Sequence, residues 1–357
     1  MKIVLITGSL NQGGAEYQLL SLARLLKEHG HDVEVVAITD YDYYLPFIKE
    51  HSIPYSCVSN EGSNLSRLFR AVKLIRSKKP DVAISYIKRV SQVAILARVL
   101  SGFRFRLIIS ERTSQVQPWH DLYYFNLALL ANRVTVNSLP KYNYIRRRFP
   151  LLKSRTVFIP NLLDTGKFLA VERKAPEAGV TRLSYVGRIS PEKNLLNLIR
   201  AVKTVKENGH NIILGLYGEA NNAAYLSEVN DLIASSGLKG IVRYMGPSDD
   251  ISVVYSATDL LCLVSYYEGF SNVLAEALAA GIPVISSDIE ENRLLIENEV
   301  NGFLVNPKVY TNISDAIEQF LSISKEKMLQ ISKDNRKKAE QTFKPETIYA
   351  AYSNLLP

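Results

Sequence analysis

Two carboxylates, Glu268 and Glu276, lie eight residues apart in the segment from Tyr267 to Ile285, the first in a loop after an apolar run, the second inside a helix that opens near Ser271. Such a junction suits an anionic ligand, because the first N–H groups of a helix lack intrahelical partners and the helix dipole favours negative charge there. The carboxylates themselves repel a bare phosphate but accept hydrogen bonds from hydroxyl groups. A ligand that meets both demands carries phosphate and sugar together, as a nucleotide sugar does. The alternative for the same letters is a buried strand with a helix packed on it through Leu274, Ala277 and Leu278.

Upstream, the segment from Ser184 to Asn194 holds Arg188 and Lys193 five residues apart, between a strand ending at Gly187 and a helix beginning near Asn194. Two cations reaching one point there would stabilise the charge that grows on a diphosphate leaving group as a glycosidic bond breaks. Each charge-assisted hydrogen bond is worth roughly 1.5–3 kcal/mol. Gly13 and Gly14 stand between the first strand and the first helix, where glycine lets backbone approach a ligand closely. With Gly8 they do not make the G-x-G-x-x-G spacing of a dinucleotide site.

These elements resemble the retaining glycosyltransferases of family 4, whose E-x7-E motif is similar to Glu268 to Glu276 and whose Gly-Arg-x4-Lys element is similar to Gly187 to Lys193. The elements follow in the family's order over nearly the whole chain. The resemblance implies a GT-B architecture, two Rossmann-like doubly wound parallel-sheet domains facing a cleft. It implies that Arg188 and Lys193 hold the diphosphate and that Gly13 and Gly14 face the donor phosphates from across the cleft. Glu276 would take the ribose hydroxyls and Glu268 would lie near the transferred sugar, as a positioning or electrostatic group rather than a nucleophile. Backbone N–H groups of Phe270, Ser271, Asn272, Val273 and Leu274 would contact the sugar and β-phosphate. The base would sit against Gly218 and the turn holding Tyr244 and Met245. The chain departs from the family where Gly218-Glu219-Ala220-Asn221 lacks a second glycine, which leaves the base open, and where Leu294 replaces a frequent Glu.

On the acceptor side, Ser110-Glu111-Arg112 ends a strand and is similar to stretches in bacterial family 4 enzymes that add hexose or N-acetylhexosamine to lipid-linked glycans. Arg112 is a candidate for an acceptor or donor phosphate, with a strand-end salt bridge as the alternative; His120, beside Trp119, is a further acceptor candidate. No metal or cofactor is expected: Asp40-Tyr41-Asp42 matches the letters of D-x-D but follows an early strand, and the paired cations already serve the diphosphate.

The elements that must position these residues alternate between strand and helix. Apolar runs at residues 3–7, 33–38, 54–58, 82–85, 106–110, 134–136 and 157–159 read as strands, with helices at 15–29, 65–78, 90–100, 123–132 and 141–149. After a break at residues 160–166 and a linker at 171–180, the rhythm restarts. Strands are expected at 183–186, 212–217, 242–245, 260–264, 284–286 and 303–305, and helices at 195–208, 223–235, 251–256, 273–280, 293–297, 313–323, 326–343 and 345–355. An α/β protein of two doubly wound sheets follows. The expected domains are 1–164, acceptor-side, and 165–342, donor-binding, and the resemblance implies that residues 343–357 cross back to the first.

A length of 357 residues with 47% hydrophobic and 22% charged content fits two globular domains and excludes disorder. No run reaches the roughly 18 apolar residues of a membrane span, because Arg98 interrupts the best candidate. Cys57 and Cys262 read as buried, reduced thiols. Residues 1–162 hold 23 Lys and Arg against 11 Asp and Glu, a balance of +12, while the remainder stands at −4. No motif points to nucleic acid. The helix with Arg67, Arg70, Lys73, Arg76, Lys78 and Lys79, together with Arg104, Arg106 and Arg146 to Arg148, suits anionic headgroups or a polyprenyl diphosphate.

The expected activity is a retaining, metal-independent transfer of hexose or N-acetylhexosamine from a nucleotide-diphosphate donor, a UDP-sugar, to a lipid-linked or growing glycan of a surface polysaccharide. The expected place is cytoplasmic, peripheral on the inner face of the membrane. The alternatives are a GDP-mannose transferase, a sugar-nucleotide epimerase of GT-B fold, and a non-catalytic nucleotide-sugar-binding subunit of an assembly complex.

Overall fold

The computed structural model describes residues 1–11, 13–58, 60, 61, 63–173 and 179–357. It divides into two compact units, Met1–Leu162 with Pro345–Pro357, and Leu163–Lys344. Residues 174–178 of the expected linker lie outside the described residues.

The first unit is a parallel sheet of seven strands: β1 (Lys2–Thr7), β2 (Asp32–Ala37), β3 (Tyr55–Cys57), β4 (Val82–Tyr86), β5 (Arg106–Glu111), β6 (Arg133–Val136) and β7 (Thr156–Phe158), in the order β3-β2-β1-β4-β5-β6-β7. Its helices are α1 (Gly14–Glu28), α2 (Leu45–Glu50), α3 (Asn64–Ser77), α4 (Lys88–Leu100), α5 (Pro118–Leu127) and α6 (Leu139–Arg148). Strands of such sheets are apolar on both faces because helices cover both. In β1, Ile3 and Leu5 enter the core that packs on α1, whereas Val4 and Ile6 enter the core shared by α3, α4, α5 and α6.

The second unit runs α7 (Thr165–Leu169), β8 (Thr181–Val186), α8 (Leu195–Glu207), β9 (Ile212–Tyr217), α9 (Ala223–Ser235), β10 (Val242–Gly246), α10 (Ile251–Ser256), β11 (Leu260–Leu263), α11 (Asn272–Ala279), β12 (Val284–Ser287), α12 (Glu290–Arg293), β13 (Phe303–Val305), α13 (Tyr310–Ser322) and α14 (Lys325–Thr342). Its six parallel strands are ordered β10-β9-β8-β11-β12-β13. In both sheets the strand order reverses beside the first strand, between β1 and β4 and between β8 and β11, which opens a ligand position at the carboxyl ends of the strands. The last helix, α15 (Pro345–Ser353), packs in the first unit, where Ile348 and Tyr352 join the core of α1.

Several expectations are corrected. The helix expected at 123–132 starts earlier, because Pro118 stands in its first turn and the Asp121 amide donates to the Gln117 carbonyl at 2.7 Å. It gives way to a 3-10 turn at Ala128–Leu130. The helix expected at 293–297 is α12, ending at Arg293, because Asn301 accepts from the Glu297 amide at 2.7 Å and donates to the Leu295 carbonyl at 3.0 Å, fixing a turn there. Two short helices were not expected, α2 and α7; the second is opened by Asp164, whose carboxylate accepts from the Lys167 amide at 3.2 Å. Cys262 is buried and its thiol is pushed up to about 12 by desolvation, but Cys57 is only half-buried.

Three glycines stack at the carboxyl ends of β8, β9 and β10. The Gly187 amide donates to the Tyr217 carbonyl at 2.9 Å, and that of Gly218 to the Gly246 carbonyl at 2.9 Å. Gly218 has a φ of +141°, and a Cβ there would lie 2.0 Å from the Gly187 carbonyl oxygen. Gly218→Ala is expected to cost more than the roughly 1–3 kcal/mol of a strained backbone alone. Gly209→Ala isolates the clash, since Gly209 also has positive φ but open space around it. Equal denaturation midpoints for the two variants would refute the close approach.

Candidate active site

The carboxyl end of β11 leads into the loop of Glu268, and the carboxyl end of β8 into the turn Pro191–Lys193. The two are joined. Lys193 Nζ donates to Glu268 Oε1 at 2.8 Å and Oε2 at 3.0 Å, and the Ser265 hydroxyl donates to Oε1 at 2.6 Å. The side chains of this pair are 14% and 10% exposed, so the lysine and the carboxylate neutralise one another in a largely dry setting. The Tyr266 amide donates to the Glu192 carbonyl at 2.9 Å, tying the two loops by backbone as well.

Asn194 fixes the frame and was read from the sequence only as a helix start. It sits in the left-handed region at φ 60°, buried, and its amide donates to the carbonyls of Val264 at 3.0 Å and Pro307 at 2.6 Å. One side chain thus holds the ends of three segments. The signal available in sequence was the residue type, since Asn is among the few that tolerate this conformation.

Arg188 is held differently from Lys193. Its guanidinium is 68% exposed and meets Glu192 at 3.5 Å. Its carbonyl accepts from the buried Tyr185 hydroxyl at 2.7 Å, which anchors the backbone while the side chain stays in solvent.

Ser271 caps α11, its hydroxyl accepting from the Leu274 amide at 3.1 Å. This corrects the expectation for Leu274, whose amide is consumed by the cap and whose side chain is buried in the core. Phe270 packs edge-on against Phe343 with ring centroids 5.8 Å apart, and Val273 packs against the core. One turn further, Glu276 accepts from the buried Tyr255 hydroxyl at 2.8 Å. Burial raises the Glu276 pKa above the ordinary carboxylate value, against the opposing pull of Tyr255 and Lys167. At the ends of β9 and β10, the Tyr244 hydroxyl donates to the Gly218 carbonyl at 3.1 Å, and Met245 is exposed beside it. The second unit therefore gathers Arg188, Lys193, Gly187, Gly218, Tyr244, Met245, Phe270, Glu268 and Glu276 on the carboxyl-end loops and helix starts of one sheet.

In the first unit, Gly13 precedes α1 and Gly14 begins it. Of the acceptor-side candidates, Ser110 and Glu111 are not arranged as expected. Ser110 is buried and accepts from the Thr135 hydroxyl at 2.9 Å. Glu111 is buried too, accepting from the amides of Arg112 at 3.1 Å and Thr113 at 3.2 Å, with burial raising its pKa. Neither side chain has the exposure to receive an acceptor. Arg112 lies 3.9 Å over the Tyr86 ring and donates to Asn161 at 2.9 Å and to the Tyr352 hydroxyl at 3.1 Å. It ties α15 to the sheet rather than forming the salt bridge considered for it. His120 is exposed on the first turn of α5. Among the described residues, no group of three His, Cys, Asp or Glu is placed to hold a metal.

The sequence matches the family described as Glycosyltransferase Family 4 over residues 12–167 and that described as Glycosyl transferases group 1 over residues 171–338. The chain belongs to glycosyltransferase family 4. Its fold is GT-B: it superimposes on Anabaena HepE in complex with UDP with a TM-score of 0.87 at 23% identity, covering 100% of this chain and 99% of that one. Among curated relatives, the GalNAc-α-(1→4)-GalNAc-α-(1→3)-diNAcBac-PP-undecaprenol α-1,4-N-acetyl-D-galactosaminyltransferase of Campylobacter jejuni is 25% identical over 85% of this chain and 84% of its own. The UDP-Gal:α-D-GlcNAc-diphosphoundecaprenol α-1,3-galactosyltransferase of Escherichia coli is 25% identical over 82% and 79%. This glycosyltransferase thus carries its ion pair and its two motif glutamates where a parallel sheet of this kind receives a ligand.

Proposed function

We propose that this glycosyltransferase moves a hexose or N-acetylhexosamine from a UDP-sugar to a lipid-linked or growing glycan in surface polysaccharide synthesis, with retention and without a metal. The observation that carries the reading is the Lys193–Glu268 pair, with the half-buried Glu276 on the helix that follows the Glu268 loop of the same sheet. Lys193 and Arg188 receive the diphosphate, Glu276 the ribose hydroxyls, and Glu268 orients the sugar. The bond from the anomeric carbon to the phosphate oxygen breaks as the bond to the acceptor oxygen forms on the same face, and the acceptor proton passes to the departing phosphate. Relatives named for UDP-Gal and for undecaprenol-linked acceptors support the donor and acceptor classes. The same acceptor class supports a peripheral position on the inner face of the cytoplasmic membrane, to which the +12 balance of residues 1–162 is suited.

The test is product release from a panel of UDP-sugars and GDP-mannose, with and without chelator, and the anomeric coupling of the product by NMR. Release of GDP alone, chelator sensitivity or an inverted product would each overturn a part of the reading. Glu276→Ala is expected to weaken donor binding by roughly 10- to 150-fold, the worth of hydrogen bonds to a charged group. Because burial raises the Glu276 pKa, wild-type affinity should begin to fall on acidification at a higher pH than an ordinary carboxylate gives. Calorimetric titration checks both, and a Glu276→Ala variant with wild-type affinity removes the ribose assignment.

A further inference from the structure

The four helices α3, α4, α5 and α6 pack on one face of the first sheet, where Val72, Ile75, Ala94, Phe125 and Ile145 share a core. Together they hold eleven Lys and Arg and a single carboxylate, Asp121. That carboxylate is fully buried and consumed by Lys88 at 2.5 Å and Lys141 at 2.7 Å. The outward side of this layer therefore draws no negative charge from its own helices. From Glu111 to Asp164, Asp121 is the only acidic residue in the chain between them. The helices elsewhere in this unit differ, since α1 carries Glu16 and Glu28, α2 Glu50 and α15 Glu346.

The same layer leaves large apolar side chains uncovered. Trp119 is 82% exposed and Tyr123 65%, with Leu122 beside them on α5. Leu65 and Phe69 stand out on α3, Leu100 at the end of α4, and Leu151 just beyond α6. Arg147 and Arg148, both exposed, end α6. Between α5 and the end of α6 lies a cavity of about 170 Å³ lined by Leu122, Phe125, Leu129, Arg148, Phe149 and Leu151 among others. Apolar side chains and amphipathic aromatics interleaved with cations, with no exposed carboxylate on the four helices and only Glu61 and Asp81 exposed in the loops that flank α3, match the interface of an anionic bilayer, where rings sit at headgroup level and each nearby cation contributes about 1 kcal/mol.

We infer that the outer face of α3 to α6 is a membrane-docking surface for anionic lipid, with Trp119 and Tyr123 entering the headgroup region and Arg147 and Arg148 meeting phosphates. The inference rests on the reading of a lipid-linked acceptor and deepens it by assigning the face that meets the bilayer. It narrows the sequence expectation, which rested on the cations of α3 with Arg104, Arg106 and Arg146 to Arg148, to one helix layer and adds the apolar side chains of α5. Lys78, just past that helix, is in fact bound to Glu34 at 2.5 Å.

Trp119 is the only tryptophan in the chain, so its fluorescence reports this face alone. With vesicles of phosphatidylglycerol and phosphatidylcholine, the full chain is expected to sediment, its emission to shift to the blue, and brominated lipid to quench it. Pure phosphatidylcholine should give neither, and raising salt from 0.1 to 0.5 M should weaken binding. Arg147→Glu with Arg148→Glu should lower the partition coefficient at least about tenfold. UDP release from the donor without vesicles should stay unchanged, which separates this surface from the active site. Sedimentation with unshifted, unquenched Trp119 emission would overturn the inference. So would equal binding to both vesicle types, an unaffected double variant, or no vesicle binding at all. Absence of donor turnover would instead strike the proposed function and leave the vesicle result standing.

Discussion

Replacing Lys193 with alanine is expected to lower kcat/KM by about 10²- to 10³-fold, the loss that follows removal of one preorganised donor from a developing oxyanion. The ammonium is held by both oxygens of Glu268 at 2.8 and 3.0 Å, so it is positioned before any donor arrives. This arrangement makes two roles separable. If Lys193 serves only to hold Glu268, then Glu268→Gln, Lys193→Ala and the double variant lose the same activity. If it also meets the diphosphate, the lysine variant loses more than the glutamate variant, because Glu268→Gln leaves the cation free to serve the phosphate. We expect the second outcome, with the larger loss in kcat, since the charge on the leaving oxygen grows only as the bond breaks. Arg188→Ala should cost less, because its guanidinium is mostly in solvent and, among the acidic groups of the described residues, pairs only with Glu192 at 3.5 Å. A loss below threefold for Lys193→Ala, in a variant whose melting curve is near that of the wild type, would remove the diphosphate role.

The strands were legible because they are short apolar runs, buried on both faces in central strands such as β1, β4 and β11 and only partly buried in β3, β9 and β10, and such runs are bounded by turn residues that sequence shows directly. Gly187 and Gly218 were legible as well, since a strand-end glycine leaves few other uses. What the letters could not show is which polar side chain spends its hydrogen bonds inside the fold. Ser110-Glu111-Arg112 reads equally as a ligand site or as a strand-end network. Burial of Glu111 and the Arg112 bond to Tyr352, 240 positions away, decide for the network. Asn194 has the same difficulty in reverse, because its partners Val264 and Pro307 lie 70 and 113 positions along the chain. The helix face carrying Trp119 was hidden by a boundary error: with the helix started at residue 123, Trp119 falls in a loop and its neighbours make no surface.

Lys141→Ala is expected to destabilise the fold by about 3–5 kcal/mol, the cost of leaving a buried charge without its partner. Lys141 and Asp121 are both fully buried, 2.7 Å apart, and the ammonium also donates to the Gln115 carbonyl at 2.8 Å. Burial pushes the Asp121 pKa up, but the hydrogen bonds and charges of Lys141 and Lys88 outweigh it and hold the carboxyl below its ordinary value. A carboxyl held low in the fold adds stability that is fully present above the unfolded value of 3.8 and is lost as pH falls through the lower folded value. In the variant only Lys88 and the Gln117 amide, which donates to Asp121 Oδ2 at 3.2 Å, remain to oppose the burial, so this acid-side loss should shrink, and the two proteins should differ less in stability near pH 3 than at pH 7. Adding Asp121→Asn to Lys141→Met removes both charges together and should recover a large part of the deficit, because what destabilises is the uncompensated ion rather than the missing bond. Denaturant midpoints at the two pH values measure all of this. A deficit under 1 kcal/mol at pH 7, or one that the second substitution deepens, would mean that water or Lys88 already compensates Asp121 and that the buried pair does not hold the β5, α5 and α6 corner together.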